Sequence, residues 1–313
     1  MLDSDVMRNS VEWRQALPQD AETWVSVTRQ SADQLHFEME EAQIERYRSE
    51  PPKKQAQRYL LWQGERPVGR LRFYVAEDEE EKTAVLDGFV LLFDAGGSVA
   101  AQVVAEAQVR AAALGVRYIK ATYPAAYTAS FAAANFRELR RRTVMVASTQ
   151  LTMPLFPLPA SLRVREITQG DVEQLGILLQ RAYAGGPDNV HADPGEWRAE
   201  ARAIQEGAFG PFMPECCFVV EHSLDRFHLA GAVLVHLERG VPRIRHMVVA
   251  PAFRHIGLGQ YLGVRCIRRL RELDYATVLL NITLNIPAVN LYHRLGFIEA
   301  GPTYIEAERI LTR

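Results

Sequence analysis

HMVVAPAFRHIGLGQYL, from His246 to Leu262, is the stretch of this 313-residue chain whose reading decides the fold. The alternation up to Val249 predicts a strand, and Pro251 ends it because proline cannot donate to a sheet ladder. A tight loop then delivers Gly257 and Gly259 to the start of a helix. Glycines at that point let backbone N–H groups approach a ligand closely, and the helix N-terminus adds partial positive charge. Together they make a phosphate site, to which Arg254 adds a fixed cation. Two other glycine loops fail here. A P-loop needs Gly-Lys-Ser/Thr, but Gln260 follows Gly259; a dinucleotide loop needs G-x-G-x-x-G, whereas Leu262 stands where its last glycine belongs and Gly263 comes one residue late.

Working outward, Leu258, Leu262, Cys266 and Leu270 recur every four residues, so Gly257 to Leu273 is predicted as a helix with one apolar stripe. Arg265, Arg268, Arg269 and Arg271 fall largely off that stripe. Upstream, strands are expected at Leu162–Ile167, Cys216–Glu221, Ala230–Leu237 and Ile244–Val249. Helices are expected after a cap at Thr168 or Asp171 and over Pro194–Gly207. Downstream, Thr277–Thr283 is a buried strand and Pro287–Leu295 a short helix, which Gly296 ends in the left-handed conformation.

The first half repeats this order. A strand at Tyr59–Trp62 precedes the hairpin-like RPVGRLRFYVAE, and the acidic run Asp78–Glu81 is a solvated turn. AVLDGFVLLF is a strand, Ser98–Leu114 a helix, VRYIKATY a strand and Ala126–Ala134 a helix. Pro154, Pro157 and Pro159 make the segment between the halves an extended linker. The expected domains are therefore 1–150 and 161–313, joined by a Pro-rich linker at 151–160.

The pattern V-x-P-x-x-R-x-x-G-x-G-x-x-L, carried by Val249, Pro251, Arg254, Gly257, Gly259 and Leu262, resembles the GNAT acetyltransferase superfamily. That family's second signature, an Asn followed by A-x-x-L-Y-x-x-L-G-F, matches Asn285, Ala288, Leu291, Tyr292, Leu295, Gly296 and Phe297. Both motifs stand in the family's order. The resemblance implies an α/β (α+β) fold of two tandem GNAT-like domains. Each would be a mixed, mostly antiparallel sheet flanked by helices, with a splayed central strand pair. It implies acetyl-CoA as acyl-donor substrate, no metal, and direct attack of an amine on the thioester. Backbone groups of Met247, Val248 and Val249 would hold the pantetheine arm. Amides of His255, Ile256, Gly257, Leu258, Gly259 and Gln260, with Arg254, would hold the pyrophosphate. Asn285 would bond near the thioester arm, and Tyr292 would protonate the departing thiolate. Taken without the motif, Tyr292 is an ordinary packed helix tyrosine and Asn285 a turn former. The arginine row is either a solvated helix face or a contact to the 3′-phosphate.

Many family members carry a Glu or His as general base on the strand before the glycine loop. Here Arg243 and Arg245 share the face of Val249, and alternation turns His246 away. The base must come from elsewhere, with Glu221, His236 and Glu238 as candidates, or the amine arrives neutral. Two arginines in the acceptor cleft favour a small-molecule amine that also carries a carboxylate or phosphate. In the first half Phe131 aligns with Tyr292 and Pro124 with Asn285, while Asp94 would repel a phosphate. This is the layout of a degenerate domain beside an active one, as in tandem members such as mycothiol synthase. A non-catalytic coenzyme A-binding sensor or scaffold is the competing reading.

Composition narrows the remaining classes. The chain is 48% hydrophobic and 24% charged with a net charge of −2, which points to no nucleic-acid or membrane partner. No apolar run reaches the ~18 residues of a membrane helix, and the N-terminus has no apolar signal segment, so the expected location is cytoplasmic. Cys216, Cys217 and Cys266 do not have the spacing of a disulfide framework or a zinc site, and are expected to be buried thiols. The oligomeric state is open.

Overall fold

A computed structural model describes residues 10–31, 40–76, 82–92, 96–191, 193–223 and 225–311. The acidic run Asp78–Glu81 and Asp94 lie outside them. The chain divides into two compact units, Met1–Arg142 with Gly301–Arg313, and Thr143–Ala300. The division read along the sequence, 1–150 and 161–313 about a linker at 151–160, is ordered by chain position. The compact units are not, because the last thirteen residues belong with the first.

Unit 1 contains strands β1 (Val11–Gln15), β2 (Arg58–Gln63), β3 (Arg66–Ala76), β4 (Thr83–Leu91) and β5 (Tyr118–Pro124). The first part of β6 (Arg137–Ser148) and the C-terminal strand, numbered β13 (Tyr304–Ile310), complete its sheet. Their order is β1-β2-β3-β4-β5-β13-β6, and only β4 and β5 run parallel. Helices α1 (Ala21–Gln30), α2 (Glu40–Ser49), α3 (Pro52–Gln55), α4 (Gly96–Ala113) and α5 (Thr128–Ala133) accompany it. The β4–β5 register runs from Thr83↔Tyr118 to Leu86↔Ala121 and stops there. Beside this point the β3–β4 register is irregular, and Gly88 takes the left-handed φ of 58°. Stacked aromatics occupy the helix side: Tyr123 lies flat on Phe131 at 3.6 Å, with Phe89 and Phe136 edge-on to Phe131.

Unit 2 takes the rest of β6 with β7 (Leu162–Glu166), β8 (Phe218–His222), β9 (Asp225–Glu238), β10 (Val241–Val249), β11 (Thr277–Thr283) and β12 (Ile298–Glu299). The order is β6-β11-β10-β9-β8-β7, with β12 also pairing β6. Its helices are α6 (Val172–Tyr183), α7 (Pro194–Gln205), α8 (Leu258–Glu272) and α9 (Ala288–Arg294). Each unit is thus the expected mixed, mostly antiparallel sheet with helices. The strand and helix expectations of the second half fall within a few residues of the observed bounds. β9 extends five residues further upstream than expected.

Local chemistry explains the boundaries. Asp193 and Glu196 form a reciprocal capping box at the start of α7, with Pro194 at the first helical position. Thr168 and Asp171 form a capping box on the 3-10 turn Gln169–Asp171 that leads into α6, with Asp171 accepting from the Thr168 amide (2.7 Å). The α8 stripe is as read: Leu258, Leu262, Cys266 and Leu270 are all 1% exposed or less. Each such leucine contributes about 1.5–3 kcal/mol. Residues 151–159 form no helix or strand. Met153, Leu155 and Leu158 pack on the unit 2 core, and Arg268 donates to the Met153 carbonyl (2.6 Å).

Candidate active site

The site begins where two strands part. β10 and β11 are parallel, and their register holds at Arg243↔Leu279 and Ile244↔Leu280 and goes no further. β10 continues to Val249 while paired on its other edge with β9, Val249 opposite Gly231. The β9 register shifts between Ile244 and His246, which leaves Arg245 as the extra residue of a bulge. A bulge bends and twists its strand, which turns the rest of β10 away from β11. The segment Arg245–Val249 therefore lines one side of a fork whose other side is Asn281–Thr283.

Past the fork, a short 3-10 turn at Pro251–Phe253 leads into the glycine loop. His255 has φ 64° and Gly257 has φ 85°, both left-handed. Gly257 is the N-cap of α8, and a Cβ there would meet nothing within 4 Å. Tyr261 is the first residue of the helix to donate back, to the Gly257 carbonyl (3.0 Å). Among the described residues, no backbone acceptor takes the amides of His255, Ile256, Gly257, Leu258, Gly259 or Gln260. No acidic residue sits in the first turn. The loop is therefore an open cradle of amides with the positive end of a 15-residue helix behind it. A pyrophosphate fits that donor set.

The two glycines of the motif differ in what they do. Gly257 supplies the left-handed turn. Gly259 supplies helix contact, since a Cβ there would lie 2.9 Å from Leu291 Cδ2 of α9. This seats α9 against α8 and places the next residue, Tyr292. The Tyr292 side chain is buried, with its ring edge-on to Phe297 at 5.6 Å. Burial, and then the negative charge of Asp188, push its hydroxyl pKa well above the usual tyrosine value. It therefore stays protonated at neutral pH. Asp188 also accepts from Thr283 at the end of β11 (2.6 Å). Gly296 ends α9 in the left-handed conformation at φ 81°, as expected. Asn285 is exposed and also left-handed at φ 64°, in the turn between β11 and α9.

Arg254 is held rather than free: Nε donates to Val249 O (3.3 Å) and Nη2 to Ala182 O (2.7 Å). It ties the loop to the end of β10 and to α6. Met247 and Val249 are half-buried and Val248 is buried in the core. Arg243 pairs with Glu238 and donates to Asn281 Oδ1 (2.7 Å), so it ties β10 to β11 just before the fork. Arg245 makes two bonds to Glu200 Oε1 (2.7 and 3.0 Å) and lies 3.8 Å over the Phe209 ring. Both arginines already hold a carboxylate of the protein. In the arginine row, Arg265 lies over Phe218, Arg268 holds Met153, and Arg269 pairs with Glu272.

The three candidate bases are also engaged or enclosed. Glu221 accepts from Arg165 (2.6 Å), which also grips Asp171. Glu238 pairs with Arg243. His236 is 2% exposed, and burial lowers its pKa to about 4. Its Nδ1 is buried with no hydrogen-bond partner among the described residues.

His246 does turn to the face opposite Val249, as alternation predicts, but that face is not inert. Its Nδ1 lies 2.9 Å from Tyr183 Oη and its Nε2 3.3 Å from Glu200 Oε1. Burial lowers the imidazole pKa although Glu200 opposes this, so the ring is neutral. Burial raises the Glu200 pKa, but the hydrogen bond from His246 and the charge of Arg245 overcome it and hold the carboxyl at about 2. An ionised carboxylate only accepts. Nε2 therefore carries the proton and donates to Glu200, and Tyr183 donates to Nδ1. Sequence reasoning missed Tyr183, Asp188, His191 and Glu200. They lie on helices and a loop whose positions against β10 no local pattern encodes.

At the position of unit 1 aligned with Tyr292 stands Phe131. Phe131 is fully buried in the aromatic stack and carries no proton to give.

Residues 187–297 match the acetyltransferase (GNAT) family model. No curated protein matches the chain. Among solved structures, the chain is similar to a GCN5-related N-acetyltransferase from Sphaerobacter thermophilus at 14% identity. That match has a TM-score of 0.71 and covers 96% of this chain and 95% of that one. It is also similar to a tandem GNAT protein from the clavulanic acid biosynthesis pathway. Identity there is 15% and the TM-score 0.65, over 97% of this chain and 99% of the other. At these identities the likeness concerns the fold: two GNAT-like units in tandem. Among the described residues, no helix is long and apolar enough to cross a membrane.

Proposed function

Starting from a chain that carries a GNAT-family acetyltransferase domain, whose general activity is acetyl transfer from acetyl-CoA, we propose that unit 2 acetylates the amine of a small molecule. The observation that carries this reading is the open amide cradle at Gly257, placed at the fork of β10 and β11 and followed by α9 with Tyr292. The amides from His255 to Gln260 would hold the pyrophosphate. The free edge of β10 from Met247 to Val249 would pair with the pantetheine arm, and Asn285 lies at the mouth of the fork. A strand amide of this segment would stabilise the oxyanion that forms when the amine attacks the thioester. Tyr292, kept protonated by burial and by Asp188, would give its proton to the sulfur.

Unit 1 is read as degenerate, because a stacked phenylalanine fills the place of the tyrosine. Arg243 is engaged by Glu238 and Arg245 by Glu200. An acidic group on the acceptor would have to compete with Glu200 for Arg245.

Tyr292→Phe tests the reading. Acetyl-CoA affinity by calorimetry should change less than about twofold, while kcat should fall by roughly 10²–10⁴, the range for a proton donor. Unchanged kcat would remove Tyr292 from the mechanism. Binding of acetyl-CoA without thiol release to any amine would instead support the non-catalytic sensor.

A further inference from the structure

We propose that Tyr183, His246 and Glu200 form the route by which the acceptor amine loses its proton, with Tyr183 Oη facing the amine and His246 Nδ1 receiving the proton. The inference rests on the acetyl-transfer reading of unit 2 and supplies the base that reading lacks.

Position is the first argument. Ile244 is the last β10 residue in register with β11, so His246 lies just inside the fork. It points to the face of α6 and α7, while Gly259 of α8 lies against Val249 on the other. An acyl donor held by the glycine loop and an acceptor arriving beside α6 would then meet at β10 from opposite faces. Arg254 links the two sides, since it bonds both Val249 and Ala182, the neighbour of Tyr183.

Connectivity is the second. Tyr183 and Glu200 are half-buried while His246 is buried, and the Tyr183 hydroxyl is bonded to the imidazole Nδ1. His236 has no such outlet, because its Nδ1 is buried with no hydrogen-bond partner among the described residues. The Tyr183 ring is fixed by stacking on Trp197 at 5.1 Å, and His191 lies edge-on to the same indole at 4.6 Å. The hydroxyl therefore has a set position relative to β10.

Charge is the third. The groups facing His246 are Glu200 and Tyr183 from the helices, His191 from the segment before α7, Arg245 beside it on β10 and His236 on β9. Among the described residues, Glu200 is the carboxylate that bonds the His246 ring. It bonds the ring nitrogen that keeps its proton, so it would hold the imidazolium once Nδ1 is protonated. Arg245 in turn fixes Glu200 Oε1. In this route Glu200 and Arg245 are positioning residues, since both act on the proton through His246.

The acceptor enters as an ammonium and gives one proton to Tyr183 Oη as the Tyr183 proton moves to His246 Nδ1. The freed nitrogen lone pair forms the N–C bond to the thioester carbonyl, and the C–S bond breaks. The sulfur takes the Tyr292 proton, and the second nitrogen proton restores Tyr292 through solvent. The proton on His246 then leaves to solvent through Tyr183. The net change is amide, free thiol and one proton.

The test is thiol release from acetyl-CoA by the full chain, from about pH 5 to about pH 10. The probes are glycine, β-alanine, putrescine, tyramine and glucosamine 6-phosphate, with hydroxylamine as a small unselective nucleophile. For the wild type, kcat/KM should fall on the acid side through an ionisation below the ordinary histidine value. His246→Gln and Tyr183→Phe should each lose roughly 10²–10⁴ in kcat at neutral pH. Their acetyl-CoA affinity, measured by calorimetry, should remain and so report a folded site. Activity of His246→Gln should recover at high pH, where the amine is neutral without help. Glu200→Gln removes the charge that raises the imidazole pKa, so its acid limb should move to lower pH. Wild-type kcat and an unchanged pH profile in His246→Gln would overturn the inference and leave the acetyl-transfer reading intact. A wild type that acetylates none of the probes would overturn that reading, and this inference with it. Should His246→Gln fail to bind acetyl-CoA, Tyr183→Phe and Glu200→Gln decide the matter by the same profile.

Discussion

Replacing Gly259 with alanine separates two roles that one motif position could serve. If glycine is there so that a ligand can approach the backbone, any side chain weakens acetyl-CoA binding. The structure gives a different reason. The position is helical, and an added Cβ would lie 2.9 Å from Leu291 Cδ2 and 3.7 Å from Val249 Cγ2. In a helix, glycine to alanine by itself gains about 1 kcal/mol. Forcing a methyl against Leu291 costs about 1–3 kcal/mol. Gly259→Ala should therefore be destabilising by about 0–2 kcal/mol, as the difference of those two terms. Leu291→Ala removes the obstructing carbon, and being only partly buried should cost no more than about 1–3 kcal/mol. In that background the sign should invert: the double variant should be about 1 kcal/mol more stable than Leu291→Ala alone. The coupling between the sites should then be about 1–3 kcal/mol. Native-state hydrogen exchange on peptides covering α8 and α9 reads the opening free energy of this helix pair. Calorimetry on the same variants gives acetyl-CoA affinity. An equal loss of stability with and without Leu291 would refute the packing argument. So would an equal loss of acetyl-CoA affinity in both backgrounds, which would return Gly259 to the ligand.

Three further outcomes follow from the same geometry. The Asp171 pKa is lowered because hydrogen bonds from Arg165 and Thr168 outweigh the opposing effect of burial. Its contribution is therefore complete above the unfolded aspartate value and lost as pH falls through the folded one. Asp171→Asn should cost about 2–4 kcal/mol at neutral pH, and the deficit against wild type should shrink in acid, measured by urea unfolding at several pH values. Cys216, Cys217 and Cys266 are buried and their thiol pKa values are raised, Cys216 to about 12. A thiol-reactive dye should label none of them in the native protein and all three after denaturation. Arg245→Ala frees Glu200 and removes a cation that lowers the His246 pKa. The acid limb of activity should move up in pH, and KM should rise for acceptors with a carboxylate or phosphate only if they reach that arginine. An unchanged KM for every acidic acceptor would retire the acidic-substrate reading.

The glycine loop was legible because its cause is local. Pro251 must end a ladder, Gly257 must take a positive φ, and a stripe of Leu258, Leu262, Cys266 and Leu270 must be a helix with one apolar side. The short helix that carries Tyr292 was legible the same way, since Gly296 has to stop it. The proposed proton route was not legible. Tyr183, Glu200 and His246 are separated by 17 and 46 residues, and only the packing of α6 and α7 on one face of β10 joins them. Alternation placed His246 on the correct face, but could not say what stood opposite it. The register of β10 was likewise beyond local reading: the bulge at Arg245 and the loss of pairing after Ile244 belong to two strands at once. The same holds for the C-terminus, where Tyr304–Ile310 pairs with Tyr118–Pro124 in unit 1 rather than completing the domain it follows. Backbone preferences and apolar periodicity reach across a few residues, so the sequence by itself determined the loop, the helices and the cradle. Strand partners and buried polar contacts are chosen between distant segments, and only the tertiary structure decided them.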